Sequence, residues 1–453
     1  MRSKNIPVYF TKLELENIRS FGEMQFLDLL DSEGQPAQWT LILGDNGVGK
    51  TTLLQCLTRM RPCFNEEPDH EDGPPPNPVE PELSQEEDNA VLKGLTRSGT
   101  EGIAKIRANL IAGEAFNGAD QRGKVPITTF IKIARSGDNI EDVHTGGEVA
   151  GEISLVEPLV LAYGAGRHMG ASNLEHWSTI GPTASLFDTA AELFDAEEIL
   201  YTLDYLRMKG RSNERILLDN LKRLLAEILP ALNNTEEIDI RGPRLPGSKE
   251  EDGGVWVNTP SGPVQFTQLS LGYQTVTALT ADIAWRMLYR YPDSKNPLLE
   301  PAVVIVDEVD LHLHPQWQRT IRKHLIRHFP AVQFIATAHS PLMAQDALDT
   351  NLAVIRERDG QTVIESEPNV VKTWRLDQIL TSGLFNFESA RPVEVENAMK
   401  RRIALVQKGD LTEDEQNELA KLDSLVLGLP TAELDEDRLA MEIVRKAAAL
   451  LSS

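Results

Sequence analysis

A chain of 453 residues with 41% hydrophobic content has length for two or three domains and apolar side chains enough for a sizeable core. Its formal net charge of −24 excludes a surface that is basic all over; a local cluster of Lys and Arg could still hold phosphates, because the electrostatic footprint depends on clustering more than on the total. There is no apolar run of the roughly 18 residues that would span a bilayer, and the opening MRSKNIPVYF lacks the apolar stretch of a signal peptide, so no membrane role is expected and the cytoplasm is the default. Cys56 and Cys63 have no metal-type partners, and a structural disulfide or zinc site is not expected of them in a reducing compartment.

Residues 8–30 alternate apolar and polar, the period of two of paired strands, with a bend near Ser20 to Gly22. A further strand, WTLIL, runs into a glycine-rich turn and then a fresh apolar pattern. The turn, Gly44-Asp45-Asn46-Gly47-Val48-Gly49-Lys50-Thr51, fits G-x-x-x-x-G-K-[ST]. In that motif a loop bare of side chains lets backbone N–H groups wrap phosphate oxygens, and the helix that follows adds its positive end. Lys50 reaches the β- and γ-phosphates of ATP in this reading, Thr51 completes a magnesium shell, and Gly44, Asn46, Gly47, Gly49 and Thr52 belong to the nucleotide cradle. An ordinary strand-to-helix glycine turn is the alternative; the flanking strand and helix patterns weigh against it.

Acid and proline dominate the next stretch, about residues 64–90, which reads as a solvated insertion. ITTFIKIAR and EPLVLAYG read as strands, the second apolar enough to be buried on both faces. From Thr183 to Leu232 the spacing turns helical, through SLFDTAAELFDAEEILYTLDYLRMK and ERILLDNLKRLLAEIL, with no heptad sustained long enough for a coiled-coil arm. Strands return in GGVWVNT and GPVQFTQLS, a helix starts within GYQTVTALTADIAWRML, and AVVIVDEV is a buried strand by its β-branched content. A helix over PQWQRTIRKHLIRHF and a strand over AVQFIATAHS follow, then two short strands and a helical tail in which Thr412 and Glu415 form a capping box. There is no internal repeat.

VVIVDEVD places Asp307 and Glu308 side by side at a strand end. Adjacent strand residues point to opposite faces, so the two carboxylates are expected to do different work. Asp307 is the candidate to orient magnesium-bound water, and Glu308 the candidate base or positioner for an attacking water. His339 ends the next strand. Parallel strands put their carboxyl ends on one edge, so Gly44, Asp307 and His339 are expected to converge there, with His339 at the γ-phosphate or the water.

The ordered set of phosphate loop, LSLGYQ, VVIVDE and TAHS resembles the ATP-binding heads of the ABC and SMC class. Ser270 and Gly272 match the signature of that class, and Gln274 lies one place beyond its usual glutamine. The resemblance implies an α/β fold of ABC/SMC head type, a mixed and parallel sheet flanked by helices, with a short inserted helical subdomain and a helical C-terminal tail. It also implies that Ser270 and Gly272 of one subunit close on the γ-phosphate held by another, so that ATP drives dimerisation. LELENIRSF and VDLHLHP are similar to RecF-like and OLD-like ATPases. LVLAYGAGR, LSLGYQT and WRLDQILTSGLF look like the PtuA-type ATPases of Septu and retron-linked bacterial defence.

On that resemblance the chain is expected to divide into residues 1–182 and 255–390 as the two parts of the head, 183–254 as the helical subdomain and 391–453 as a partner-binding tail. Two positions depart from the class: no Q-loop glutamine follows EPLVLAYG, leaving Tyr163 and Arg167 as its substitutes, and His314 stands where an aspartate is usual. LHLH reads as a turn, since no further ligand cluster accompanies His312 and His314. No acidic metal cluster or Cys/His nuclease motif follows Ser340, so nucleic-acid cleavage is expected in a separate effector, an HNH-type nuclease being the first candidate. The assembly expected is a homodimer or larger homo-oligomer. A RecF-like protein gripping DNA directly is the competing expectation; steeply salt-dependent duplex binding with DNA-stimulated hydrolysis would favour it.

Overall fold

In the computed structural model, residues 6–64, 79–82, 89–97, 102–113, 124–136, 139–150, 157–172, 181–228, 234–242, 253–259, 262–345, 351–366, 376–382, 385, 391–408 and 410–427 are described. The strands of the two large sheets are, in chain order, β1 (Val8–Glu16), β2 (Gln25–Asp28), β3 (Trp39–Gly44), β4 (Gly102–Ala112), β5 (Val125–Ser136), β6 (Asn139–Val149), β7 (Val160–Tyr163), β8 (Ala302–Val306), β9 (Val332–Ala338), β10 (Asn351–Arg358) and β11 (Gln361–Ser366). One sheet is antiparallel, in the order β2-β1-β4-β5-β6; the other has the order β11-β10-β3-β9-β8-β7 and is parallel except for its β10–β11 hairpin.

Patterning explains the difference. Along β1 and β5 buried residues alternate with partly exposed ones, as in a sheet with one covered face, whereas all residues of β7, β8 and β9 are buried. Leu13, Leu15, Ile106 and Ile131 of the antiparallel sheet and Ile42, Ile305, Ile335 and Ile355 of the parallel sheet share one core with Leu53, Leu54 and Leu57 of the helix Lys50–Arg59. Each such side chain contributes about 1.5–3 kcal/mol by leaving water. Gln333 on β9 bridges the sheets: its amide accepts from Phe10 N at 2.9 Å and donates to Phe10 O at 2.8 Å, replacing ladder partners where the register of β1 shifts.

The structure corrects three expectations. The spacing from Ser185 to Lys209 is not one helix: Ala184–Phe187 stops at Asp188, which is extended, and Ala196–Met208 starts afresh on Asp195, whose carboxylate accepts from Glu197 N at 2.8 Å. The PQWQ helix likewise divides into Pro315–Gln318 and Ile321–His328. In the acidic insertion Val79–Pro81 pairs antiparallel with Pro62–Phe64, while 65–78 and 83–88 lie outside the described residues. The long strands β4 and β6 had no reading in the sequence. Cys56 and Cys63 are buried free thiols.

The chain forms two compact units, Met1–Ile379 and Leu380–Ser453. In the second, Val393–Lys408 and Glu413–Leu427 are joined by Arg401–Glu418 and Arg402–Asp423 ion pairs, and the expected capping box is present: Thr412 N donates to Glu415 Oε2 at 3.0 Å and Glu415 N to Thr412 Oγ1 at 3.4 Å. Among the described residues no helix is long and apolar enough to cross a membrane.

In the first unit the helix Leu271–Arg290 is buried through most of its length and carries a charged group into the core. Asp282, fully buried, accepts from Tyr163 Oη at 2.7 Å, Arg286 Nε at 2.7 Å and Phe194 N at 3.3 Å. Removing one member of a buried ion pair leaves the other charge uncompensated. Asp282→Ala should therefore lower stability by about 3–5 kcal/mol, read as a drop in the thermal midpoint of the first unit, whereas Asp282→Asn, which keeps an acceptor, should cost less.

Candidate functional site

The carboxyl ends of β3, β8 and β9 meet on one edge, Val306 lying opposite Ala336 and Tyr163, and Ala338 opposite Leu43. At the end of β3 a side chain on Gly44 would place its Cβ 2.6 Å from Ile355 O, and Gly49, the N-cap of Lys50–Arg59, has φ +100°. The turn is thus closed to residues with a Cβ where backbone must approach backbone. Asp45, Asn46 and Gly47 form its exposed outer rim. Lys50 is 6% exposed, and its Nζ donates to Gly44 O and Asp45 O, both at 2.8 Å. Burial pushes its pKa down, against the pull of the Asp307, Glu308, Asp45 and Asp310 carboxylates.

Thr51 Oγ1 donates to Asp307 Oδ2 at 2.6 Å, joining the phosphate loop to the acidic strand, and Thr337 Oγ1 donates to Asp307 Oδ1 at 2.6 Å. The Thr337 hydroxyl also accepts from Glu308 N at 2.7 Å. Glu308 leaves the strand: β8 ends at Val306, and Glu308 has φ +47°. Divergence of the two carboxylates therefore comes from a left-handed turn and not from strand alternation, as the sequence had suggested. His339 Nε2 lies 3.5 Å from Glu308 Oε1, sealed from solvent and without a hydrogen-bond partner. Asp310 fixes the backbone there, its Oδ2 accepting from His339 N at 3.0 Å and Ser340 N at 2.7 Å.

Other assignments move. Thr52 turns into the interior and its hydroxyl accepts from Arg19 Nη1 at 3.0 Å. Tyr163, committed to Asp282, is unavailable as a Q-loop substitute. Arg167 lies beside the acidic pair, but its guanidinium holds backbone: Nη1 donates to Gly164 O at 3.0 Å and Asp307 O at 2.6 Å, and Nη2 to Glu308 O at 2.9 Å. His314 caps Pro315–Gln318 by accepting from Gln316 N at 3.3 Å, and His312 has φ +62°, so LHLH is a turn.

Ser270 is the exposed N-cap of Leu271–Arg290 and its hydroxyl makes no capping bond. Gln274 closes its own loop, Nε2 donating to Thr267 O and Leu269 O at 2.8 Å. Gly272 is buried in its own chain: a Cβ there would lie 2.2 Å from His312 O. Thr337 and Asp310 went unread in the sequence, although both sit inside quoted motifs, ATAHS and VDEVD.

These residues fit a nucleoside triphosphate with magnesium. The loop presents backbone N–H groups, a buried ammonium stands behind it, and one hydroxyl is paired with one carboxylate. Magnesium takes only one or two protein ligands at such sites, and Thr51 with Asp307 supplies that number.

Two family models match the chain, “AAA domain, putative AbiEii toxin, Type IV TA system” over residues 182–344 and “AAA domain” over residues 12–137. The Septu protein PtuA of Bacillus mycoides (strain KBAB4) is 25% identical over 422 residues, 91% of this chain and 50% of that protein. The retron Vc95 probable ATPase of Vibrio cholerae serotype O1 biovar El Tor is 42% identical over 96 residues, 21% of this chain and 19% of that one. This chain thus spans half or less of the curated relatives it matches. Among solved structures, the SMC head domain from Thermotoga maritima is similar over 79% of this chain and 99% of that one, at 16% identity and a TM-score of 0.39; strand order, not that distant likeness, establishes the fold.

Thr337→Val should cost about 1–3 kcal/mol by leaving Glu308 N–H without its acceptor, and should loosen Asp307. Gly272→Ala should cost about 1–3 kcal/mol by overpacking against His312. Thermal unfolding of the nucleotide-free variants checks both, and an unshifted midpoint in either would contradict the contacts described.

Proposed function

We propose, from the premise that this chain is an ABC/SMC-class AAA ATPase related to those of Septu and retron defence systems, that it binds and hydrolyses ATP as a switch for an associated effector. The observation that carries the reading is the hydrogen bond from Thr51 to Asp307, which closes a phosphate loop onto an acidic strand end 256 positions away. Lys50 supplies the cation for the β- and γ-phosphates and the loop N–H groups hold their oxygens. Thr51 and Asp307 are the protein's share of a magnesium shell; the ion, when bound, offsets phosphate charge. Glu308 takes the role of orienting or deprotonating the attacking water, and His339, whose Nε2 lies 3.5 Å from Glu308 Oε1, helps to hold it.

Ser270 is the group we assign to a neighbouring subunit's nucleotide. Its exposed position at a helix N-terminus and uncommitted hydroxyl support that use. Gly272, assigned to the same trans contact from the sequence, has a sufficient reason within its own chain, which narrows the trans contribution to Ser270 and the helix end. ATP would then close two heads, and the closed state would control a separate effector, an HNH-type nuclease being our first candidate, in defence against phage. DNA is a further ligand to be tested by salt-dependent binding.

Lys50→Ala should weaken ATP binding about ten- to a hundredfold, by loss of a charge-assisted contact, in equilibrium titrations. Glu308→Gln should keep binding and lose about a hundredfold or more of turnover, accumulating as a closed ATP-bound assembly in size-exclusion chromatography. Unchanged turnover in Glu308→Gln would remove it from the mechanism.

The trans site has its own test. Ser270→Arg should bind ATP and fail to hydrolyse it. Mixed with Lys50→Ala it should recover turnover, because a heterodimer pairs one intact phosphate loop with one intact signature. No recovery at any ratio, in a mixture shown to exchange subunits, would mean that the site is complete within one chain.

A further inference from the structure

The turn after β8 has an unusual backbone requirement. In an extended strand successive carbonyls point to opposite sides, yet Asp307 O and Glu308 O both meet one guanidinium, at 2.6 and 2.9 Å. The left-handed φ of Glu308 is what brings the two carbonyls round to the same place. Such a conformation costs a residue with a Cβ on the order of 1–3 kcal/mol and persists only where surrounding contacts over-determine it. Those contacts are the Arg167 fork on one side and, on the other, the Thr337 hydroxyl accepting from Glu308 N.

Arg167 is itself an expensive residue. It is 5% exposed, no carboxylate forms a salt bridge with it among the described residues, and its Nε has no hydrogen-bond partner. Burial pushes its pKa down to about 10, although Asp307, Asp310 and Glu308 pull the other way. A buried cation satisfied only by main-chain carbonyls is poor value as a source of stability, since an apolar side chain of similar size would avoid the desolvation. Its geometry is specific instead: the flat fork spans three carbonyls, Gly164, Asp307 and Glu308, which a single ammonium could not reach in the same arrangement.

We propose that Arg167 is a positioning residue for hydrolysis, holding the Asp307–Glu308 turn so that the Glu308 carboxylate stays beside His339 in the nucleotide site. It acts through the backbone and touches no reacting atom. The assignment rests on the ATPase reading above, with Glu308 as the group that handles water. It also gives the strand end after β7 a use that needs no glutamine: the guanidinium reaches the acidic turn from the segment where the class carries its Q-loop.

The test begins with hydrolysis by the unaltered chain, whose absence would defeat the ATPase reading before Arg167 is at issue. Arg167→Lys and Arg167→Gln are then compared for affinity toward a non-hydrolysable ATP analogue and for turnover. Affinity should stay within about threefold while turnover falls about ten- to a hundredfold, because the Asp307 carboxylate keeps its bonds to Thr51 and Thr337 and what is lost is the orientation of Glu308. In the Glu308→Gln background the Arg167→Lys change should cost almost nothing further, as expected for two residues acting as one unit. Hydrogen exchange of the nucleotide-free Arg167→Lys protein gives a readout independent of activity: amides of 307–311 should lose protection while those of β9 keep theirs. Turnover equal to the parent in Arg167→Lys, a full additional loss in the Glu308→Gln background, or protection lost across the whole sheet would each overturn the proposal.

Discussion

The candidate nucleotide site depends on one carboxylate. Asp307 is 3% exposed, and each of its oxygens accepts a hydroxyl from a different element, Thr51 from the first turn of the helix Lys50–Arg59 and Thr337 from β9. A buried carboxylate is tolerated where its oxygens are hydrogen-bonded, and each oxygen here has one short bond, with the Lys50 and Arg167 cations adding electrostatic support. They also set geometry: Thr51 cannot reach Asp307 unless β3, β9 and β8 are neighbours in register, and Thr337 can serve Asp307 and Glu308 N together only if the turn after β8 is left-handed. Sheet order, loop and acidic turn are therefore conditions on one another.

Much of this was legible from residue types. The glycine turn between β3 and the helix Lys50–Arg59 could be read as a candidate phosphate loop because glycines, a lysine and a hydroxyl have few other reasons to be packed between a strand and a helix. β3, β8 and β9 could be read because strands buried on both faces become runs of apolar residues. β6 could not, since NIEDVHTGGEV has little apolar content and owes its strand to pairing with β5. The helix breaks at Asp188 and Asp195 were hidden because apolar spacing of three or four continues across them, while the decisive signal was a local one, an aspartate able to cap the next helix. Thr337 and Asp310 escaped for another reason, and Arg167 was read only as a substitute for the Q-loop glutamine: Asp310 and Arg167 hold backbone, Thr337 holds backbone as well as a carboxylate, and backbone partners leave no complementary residue elsewhere in the sequence to be paired with them.

The helix that Ser270 caps is tied to the acidic turn within its own chain. Its first turn packs so tightly on the 310–314 turn that Gly272 has no room for a Cβ, and the 310–314 turn is continuous with the acidic pair and bonded to the His339 backbone through Asp310. At its middle the helix is tied by Asp282 to Tyr163, whose carbonyl accepts from Asp307 N at 2.8 Å. The signature helix is thus held at two points by residues that neighbour Asp307 in the same chain. A displacement of its N-terminus by a second subunit would be felt by the acidic turn through contacts already present, with no change of fold.

The order of strands in the parallel sheet also constrains how the protein comes into being on the ribosome. β3 ends at residue 44, but both of its neighbours, β9 and β10, are drawn from beyond residue 330. A nascent chain therefore holds this strand, apolar on both faces, without its sheet neighbours until residues beyond 330 have been made. Pairing at such sequence separation is slow and leaves strand edges open to aggregation, so the yield of native protein should be governed by synthesis rate and chaperone supply more than by the stability of the finished sheet.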